Sequence, residues 1–114
     1  MTVDITTHNP EFSTTGQISP EQVKEVASLG FKSVIDNRPD FEGGHDQPLH
    51  ADIEKLVIAS GMQFAYLPVI SGAITTDQIH QMAELIDSLP KPILAFCRSG
   101  ARSTNLYHLA MSRS

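Results

Sequence analysis

The sequence predicts a single-domain α/β fold, with a mostly parallel central sheet flanked by helices. Three observations carry that prediction. Capped stretches with helical apolar spacing alternate with short apolar runs of strand length, the order expected of parallel strands joined by helical crossovers. The run Ile93-Leu94-Ala95-Phe96 is apolar throughout, as in a strand covered on both faces. The 114 residues, 40% hydrophobic and 18% charged, suffice for one core and are too few for two.

The first eighteen residues are polar and rich in Thr, and within them Phe12 to Thr15, ahead of Gly16, is a candidate edge strand. Ser19-Pro20-Glu21-Gln22 starts a helix, with a Ser cap, a Pro whose missing N–H costs nothing there, and Gln three residues after the cap. Val23, Val26 and Ala27 give it an apolar stripe, and Leu29-Gly30 stops it. A strand over Phe31 to Ile35 breaks at Asp36-Asn37-Arg38-Pro39, and residues 36 to 48 form a polar loop containing Gly43-Gly44. The second helix runs from about Leu49 to Ser60, the next strand over Gln63 to Leu67 up to Pro68, and Val69 to Ala73 form a loop. Thr75-Thr76-Asp77-Gln78 caps a third helix, with Ile79, Met82, Ala83 and Ile86 on one face, that ends before Pro90. Ile93 to Phe96 then leads directly into Cys97 and a last helix from about Ala101.

Composition removes several classes of function. No apolar run is long enough to cross a bilayer, and Met1-Thr2-Val3-Asp4-Ile5 lacks the basic start and apolar stretch of a secretory signal, so a cytoplasmic location is expected. Thirteen acidic against eight basic residues, with no basic stripe, argue against a nucleic-acid partner. A lone cysteine excludes an internal disulfide, a CxxC redox pair and a zinc knuckle. The five histidines show no HxH or HExxH spacing, and neither a metal nor another cofactor is expected.

The chemistry concentrates at Cys97-Arg98-Ser99-Gly100-Ala101-Arg102. An ordinary thiol is mostly protonated at neutral pH, so a nucleophilic cysteine needs positive potential around it. Backbone N–H groups from Arg98 to Arg102 can turn inward as an anion-binding nest, which Gly100 permits by taking a positive φ. The following helix aims its positive end at the loop, and Arg102 adds a planar fork suited to oxyanions. Ser103 can give its hydroxyl to the thiolate or to a leaving sulfur. Arg98 reads as a rim residue. In parallel sheets ligands sit off the carboxyl ends of the strands, and Cys97, Asp36 to Asp40 and Pro68 to Gly72 all follow strands, so the three loops are expected to meet.

Gly16-Gln17, Gly30-Phe31-Lys32-Ser33-Val34-Ile35, Asn37-Arg38-Pro39-Asp40, Pro68-Val69, Gly72-Ala73-Ile74-Thr75 and Cys97 to Ser103 together resemble the beta-lactamase-hydrolase-like protein, phosphatase-like domain family, over nearly the whole chain. The resemblance implies a bacterial protein with the protein tyrosine phosphatase-like fold, in a family variously labelled phosphatases or sulfur transferases. It also implies a partner domain of the metallo-beta-lactamase-like sulfur dioxygenase type, to which members are sometimes fused. Phe96 stands where phosphatase-like loops usually carry His before the cysteine.

Two reactions and a passive role are open on these residues. Four residues separate Cys97 from Arg102, as in rhodanese-like loops, where tyrosine phosphatases place five. A shorter ring suits a terminal sulfur, and the sequence points first to sulfane-sulfur transfer from a persulfide or thiosulfate through a Cys97 persulfide, which requires no general acid. The alternative is a phosphatase hydrolysing phosphate esters through a phosphocysteine, clamped by Arg102. It needs an acid, and the Pro68 to Gly72 loop carries no Asp; Asp36, Asp40 or Glu42 would substitute, with Asp40 the candidate catalytic residue and Arg38 and Glu42 a candidate substrate loop. These carboxylates and Arg38 also fit a solvated turn with a local ion pair, and His45 and Asp77 read as loop and helix-cap residues. The third alternative is a non-catalytic anion-binding or partner-docking module.

Overall fold

The computed structural model describes residues 3–112. Five strands, β1 (Ile5–Asn9), β2 (Phe12–Thr15), β3 (Ser33–Asp36), β4 (Gln63–Tyr66) and β5 (Ile93–Phe96), form one sheet in the order β1-β2-β5-β3-β4. Only β1 runs antiparallel to its neighbour; β2, β5, β3 and β4 are parallel. The helices are α1 (Val23–Ser28), entered through a 3-10 turn at Pro20–Gln22, α2 (His50–Ala59), α3 (Thr76–Ser88) and α4 (Ala101–Ser112). No helix of the described residues is long and apolar enough to cross a membrane.

Local chemistry explains the helix starts. Gln22 Oε1 accepts the Ser19 N–H at 2.9 Å, and Thr75 and Gln78 exchange bonds of 2.9 and 3.1 Å, each pairing capping otherwise unsatisfied amides. Alternate strand residues then serve two cores. Phe12, Ile35, Ile93 and Ala95 face Met82, Ile86 and Leu106 of α3 and α4, whereas Val34, Leu94 and Phe96 face Val26, Ile53 and Val57 of α1 and α2. Coverage on both faces is why β5 is apolar at every position.

The N-terminal region differs from the sequence expectation. Phe12–Thr15 is not the sheet edge: it lies between β1 and β5 with all four residues buried, and Ile5–Asn9, within the polar stretch to which the sequence assigns no other element, takes the edge. Its polarity hid this. Thr15 Oγ1 donates to the Asp4 carbonyl at 2.7 Å and Thr14 Oγ1 lies 2.9 Å from Thr104 Oγ1, so the hydroxyls enter the interior with partners.

Candidate active site

The carboxyl ends of β2, β5, β3 and β4 lie at one edge of the sheet, and backbone bonds stitch their loops together. Gln17 N donates to Arg98 O (3.2 Å), Asn37 N to Phe96 O (2.8 Å), Leu67 N to Asp36 O (2.9 Å) and Val69 N to Asn37 O (3.0 Å). A Cβ on Gly16 would stand 3.0 Å from Arg98 O, so this approach requires a residue without a side chain. The three loops expected to meet do meet, and the segment after β2 joins them.

Cys97 is 1% exposed, and its Sγ accepts the Gly100 amide at 3.1 Å. Gly100 turns the chain with φ 94°, which aims that amide back at the sulfur. Burial alone would push the thiol up, yet the amide and hydroxyl of Ser103 and the amides of Gly100 and Ser99 outweigh it and hold Cys97 below its ordinary pKa.

Arg102 spends most of its fork on a carboxylate. Nη1 and Nη2 donate to Glu42 Oε2 and Oε1 at 2.9 and 3.0 Å, and Nη1 also reaches Val69 O at 2.8 Å. Its buried Nε has no hydrogen-bond partner among the described residues. Glu42 also receives Arg38 Nε at 3.1 Å, and Arg38 Nη1 reaches Gln17 Oε1 at 3.1 Å. Hydrogen bonds from Arg102, partly offset by burial and reinforced by Arg38, hold the Glu42 carboxyl below its ordinary value. Arg38, Glu42, Ser71, Cys97, Arg98 and Arg102 line a cavity of about 660 Å³, with Arg98 exposed at its mouth.

Asp40, the expected acid, does not line this cavity. Its Oδ1 accepts the His50 amide at 2.9 Å and its Oδ2 lies 2.6 Å from His50 Nδ1, while its own amide donates to the Tyr66 hydroxyl at 3.0 Å. His50 stacks on Tyr66 with ring centroids 3.7 Å apart, so Asp40 tethers the start of α2 to β4. Asp36 is buried beneath the same loop; desolvation raises its pKa to about 7 against the pull of the Arg38 amide, and Asp40 adds to the rise. Arg38 and Glu42 do form the expected local pair, but one that also reaches Arg102. Gln17 and Asn37 were not singled out as site residues, because their contacts here are with residues far off in the chain. Among the described residues no three His, Cys, Asp or Glu side chains gather as a metal-holding group.

Residues 4–114 match the family described as "Beta-lactamase hydrolase-like protein, phosphatase-like domain". The chain belongs to this family. Beta-lactamase hydrolase-like proteins of Agrobacterium fabrum and Xylella fastidiosa are 30% and 28% identical to it over 101 and 102 residues, or 89% and 90% of the chain. The chain spans 23% of the length of each. The crystal structure of a "putative phosphatase" from Neisseria meningitidis superposes with a TM-score of 0.80 at 30% identity, over 87% of this chain and 70% of that one. TpbA of P. aeruginosa in complex with pTyr shares the fold, with a TM-score of 0.69 at 12% identity over 91% of this chain and 59% of its own. Family and fold make this a phosphatase-like domain with the protein tyrosine phosphatase-like architecture, carrying Cys97 in the loop after β5.

Proposed function

We propose that the domain transfers sulfane sulfur through a persulfide on Cys97. One observation carries this reading: Glu42, the carboxylate that lines the cavity, is held ionised by two arginines and has no proton to give a leaving oxygen. Sulfur transfer needs none. The Cys97 thiolate attacks the outer sulfur of thiosulfate, the S–S bond breaks, and its electron pair leaves with sulfite. A persulfide remains on Cys97, where the Gly100 amide and its neighbours can hold the terminal charge. An acceptor thiolate then takes the outer sulfur and regenerates the Cys97 thiolate. The four-residue spacing between Cys97 and Arg102 supports the same reading, since a tight ring fits one sulfur better than a phosphoryl group. In relatives nearly four times as long, a sulfur dioxygenase-type partner domain would consume the persulfide so formed.

Phosphate-ester hydrolysis is the second reading, favoured by the 30% identity to the Neisseria protein. Intact-protein mass after thiosulfate treatment, run beside a generic phosphatase assay, separates the two. A gain of one sulfur, removed by cyanide and absent in Cys97→Ser, is the expected result. Phosphate release without sulfur loading, abolished in that variant, would replace it with the second reading.

A further inference from the structure

Asn37 is fully buried at the point where the loops after β3, β4 and β5 converge. Its side-chain Nδ2 donates to the Leu67 carbonyl at 3.0 Å, and its Oδ1 faces Ser103 Oγ at 2.8 Å. A carbonyl only accepts, so Leu67 fixes which end of the amide is nitrogen. The end facing Ser103 is therefore oxygen, and the single hydroxyl proton of Ser103 points at it. In the structure the Ser103 proton goes to Asn37, and the hydrogen bond to Cys97 Sγ comes from the Gly100 amide. Ser103, six residues on from Cys97, is nonetheless among the groups that draw the Cys97 pKa down.

We propose that Asn37 is a positioning residue that competes with Cys97 for the hydroxyl proton of Ser103, and so limits how firmly the loop holds the thiolate. While Cys97 is protonated, Ser103 donates to Asn37 and offers the sulfur only a lone pair. Once Cys97 ionises, the hydroxyl turns to Sγ, and Asn37 Oδ1 is left without a partner in a fully buried place. That loss opposes ionisation. The same exchange keeps the thiolate reactive, since a sulfur too well supplied with donors is a weaker nucleophile. The inference rests on Cys97 as the nucleophile and is indifferent to which group it accepts.

The test is the pH dependence of Cys97 alkylation by iodoacetamide in the unaltered protein, in Asn37→Ala, in Ser103→Ala and in the double variant. Alkylation requires no turnover, so failure of sulfur loading leaves this measurement standing. Asn37→Ala is expected to lower the Cys97 midpoint by about half a pH unit to one unit, the equivalent of one hydrogen bond. Ser103→Ala is expected to raise it, and adding Asn37→Ala to Ser103→Ala to move it no further. Arg38, Glu42, Arg98 and Arg102 around the cavity, and Asp36 at the end of β3, are unaltered in all four proteins. A merely structural Asn37 would shift the midpoint equally in both backgrounds, and that result, or an upward shift, overturns the proposal. Should Asn37→Ala not fold, the side-chain carbonyl ¹³C resonance of Asn37 in the unaltered protein decides. It is expected to titrate with Cys97 and to stay flat in Cys97→Ser; a flat resonance in both overturns the competition.

Discussion

The loop after β5 closes on itself: Gly100 turns at φ 94° and its amide reaches Cys97, three residues back, at 3.1 Å. The loop after β3 is tied through side chains to places distant in the chain. Glu42 meets Arg102 across sixty residues, Arg38 meets Gln17 across twenty-one, and Asp40 meets His50 across ten. Both loops face one cavity, yet their physics differs. Amides carry fixed dipoles that do not titrate, so the first loop offers the same positive field at any working pH. The second loop is made of ionisable groups, and its contribution to stability depends on which of them hold protons. A site built this way separates a constant task, holding an anion at sulfur, from an adjustable one, setting the charge around it.

The largest effect that would sharpen this contrast is at Asp36. An unfolded Asp loses its proton near pH 4, whereas the folded one keeps it to about pH 7. Between those values the folded state binds more protons, so stability falls as pH rises from about 4 to about 7 and is level above. Asp36→Asn escapes the penalty and can still accept the Arg38 amide that now bonds Asp36 Oδ1 at 2.8 Å. It is expected to stabilise the protein by about 2 to 4 kcal/mol above pH 7, with the gain vanishing below about pH 4. Urea denaturation at pH 4, 6 and 8 checks this; a gain independent of pH would show that burial, not ionisation, sets the cost.

Gly100→Ala strikes the other loop and is expected to act at every pH. The new Cβ would sit 3.2 Å from the Thr15 backbone at a φ that disfavours any side chain, which costs about 2 kcal/mol. Tilting the amide away from Sγ also raises the Cys97 pKa, readable as slower alkylation at pH 6. A pH-dependent stability loss in this variant would break the contrast, because it would mean that the β5 loop too relies on titrating groups.

The same division governs what could be read from residues alone. The helices, the buried β5 strand and the Cys97 to Arg102 loop were legible because caps, apolar spacing and loop length are written in neighbouring positions. β1 and the interior place of β2 were not, since Ser13, Thr14 and Thr15 look like solvated residues until Thr104 and the Asp4 carbonyl are seen beside them. The meeting of Asp36–Asp40 with Cys97 followed from strand-end topology, but which carboxylate enters the cavity did not. Asp40 and Glu42 are two residues apart and chemically alike. What assigns Asp40 to His50 and Glu42 to Arg102 is a turn whose geometry the sequence does not announce.

That turn can be tested by the smallest of the expected effects. Glu42 N donates to Pro39 O at 3.3 Å, and Phe41, within the turn, has φ 67° where glycine or asparagine is ordinarily found. The left-handed conformation costs a bulky residue about 1 to 2 kcal/mol, and the ring, 62% exposed, recovers little by burial. Phe41→Gly relieves the strain but gives back about 0.5 to 1 kcal/mol through the freer unfolded chain, for a net gain of about 0.5 to 1 kcal/mol, or a few degrees in Tm. If the long-range ion pairs and not the turn hold this loop, Glu42 stays on Arg102 and sulfur loading by thiosulfate proceeds at the parent rate. A lower Tm would show that the Phe41 ring packs in solution. A higher Tm with slower loading would show that the strained turn, as much as the arginines, aims Glu42 at the site.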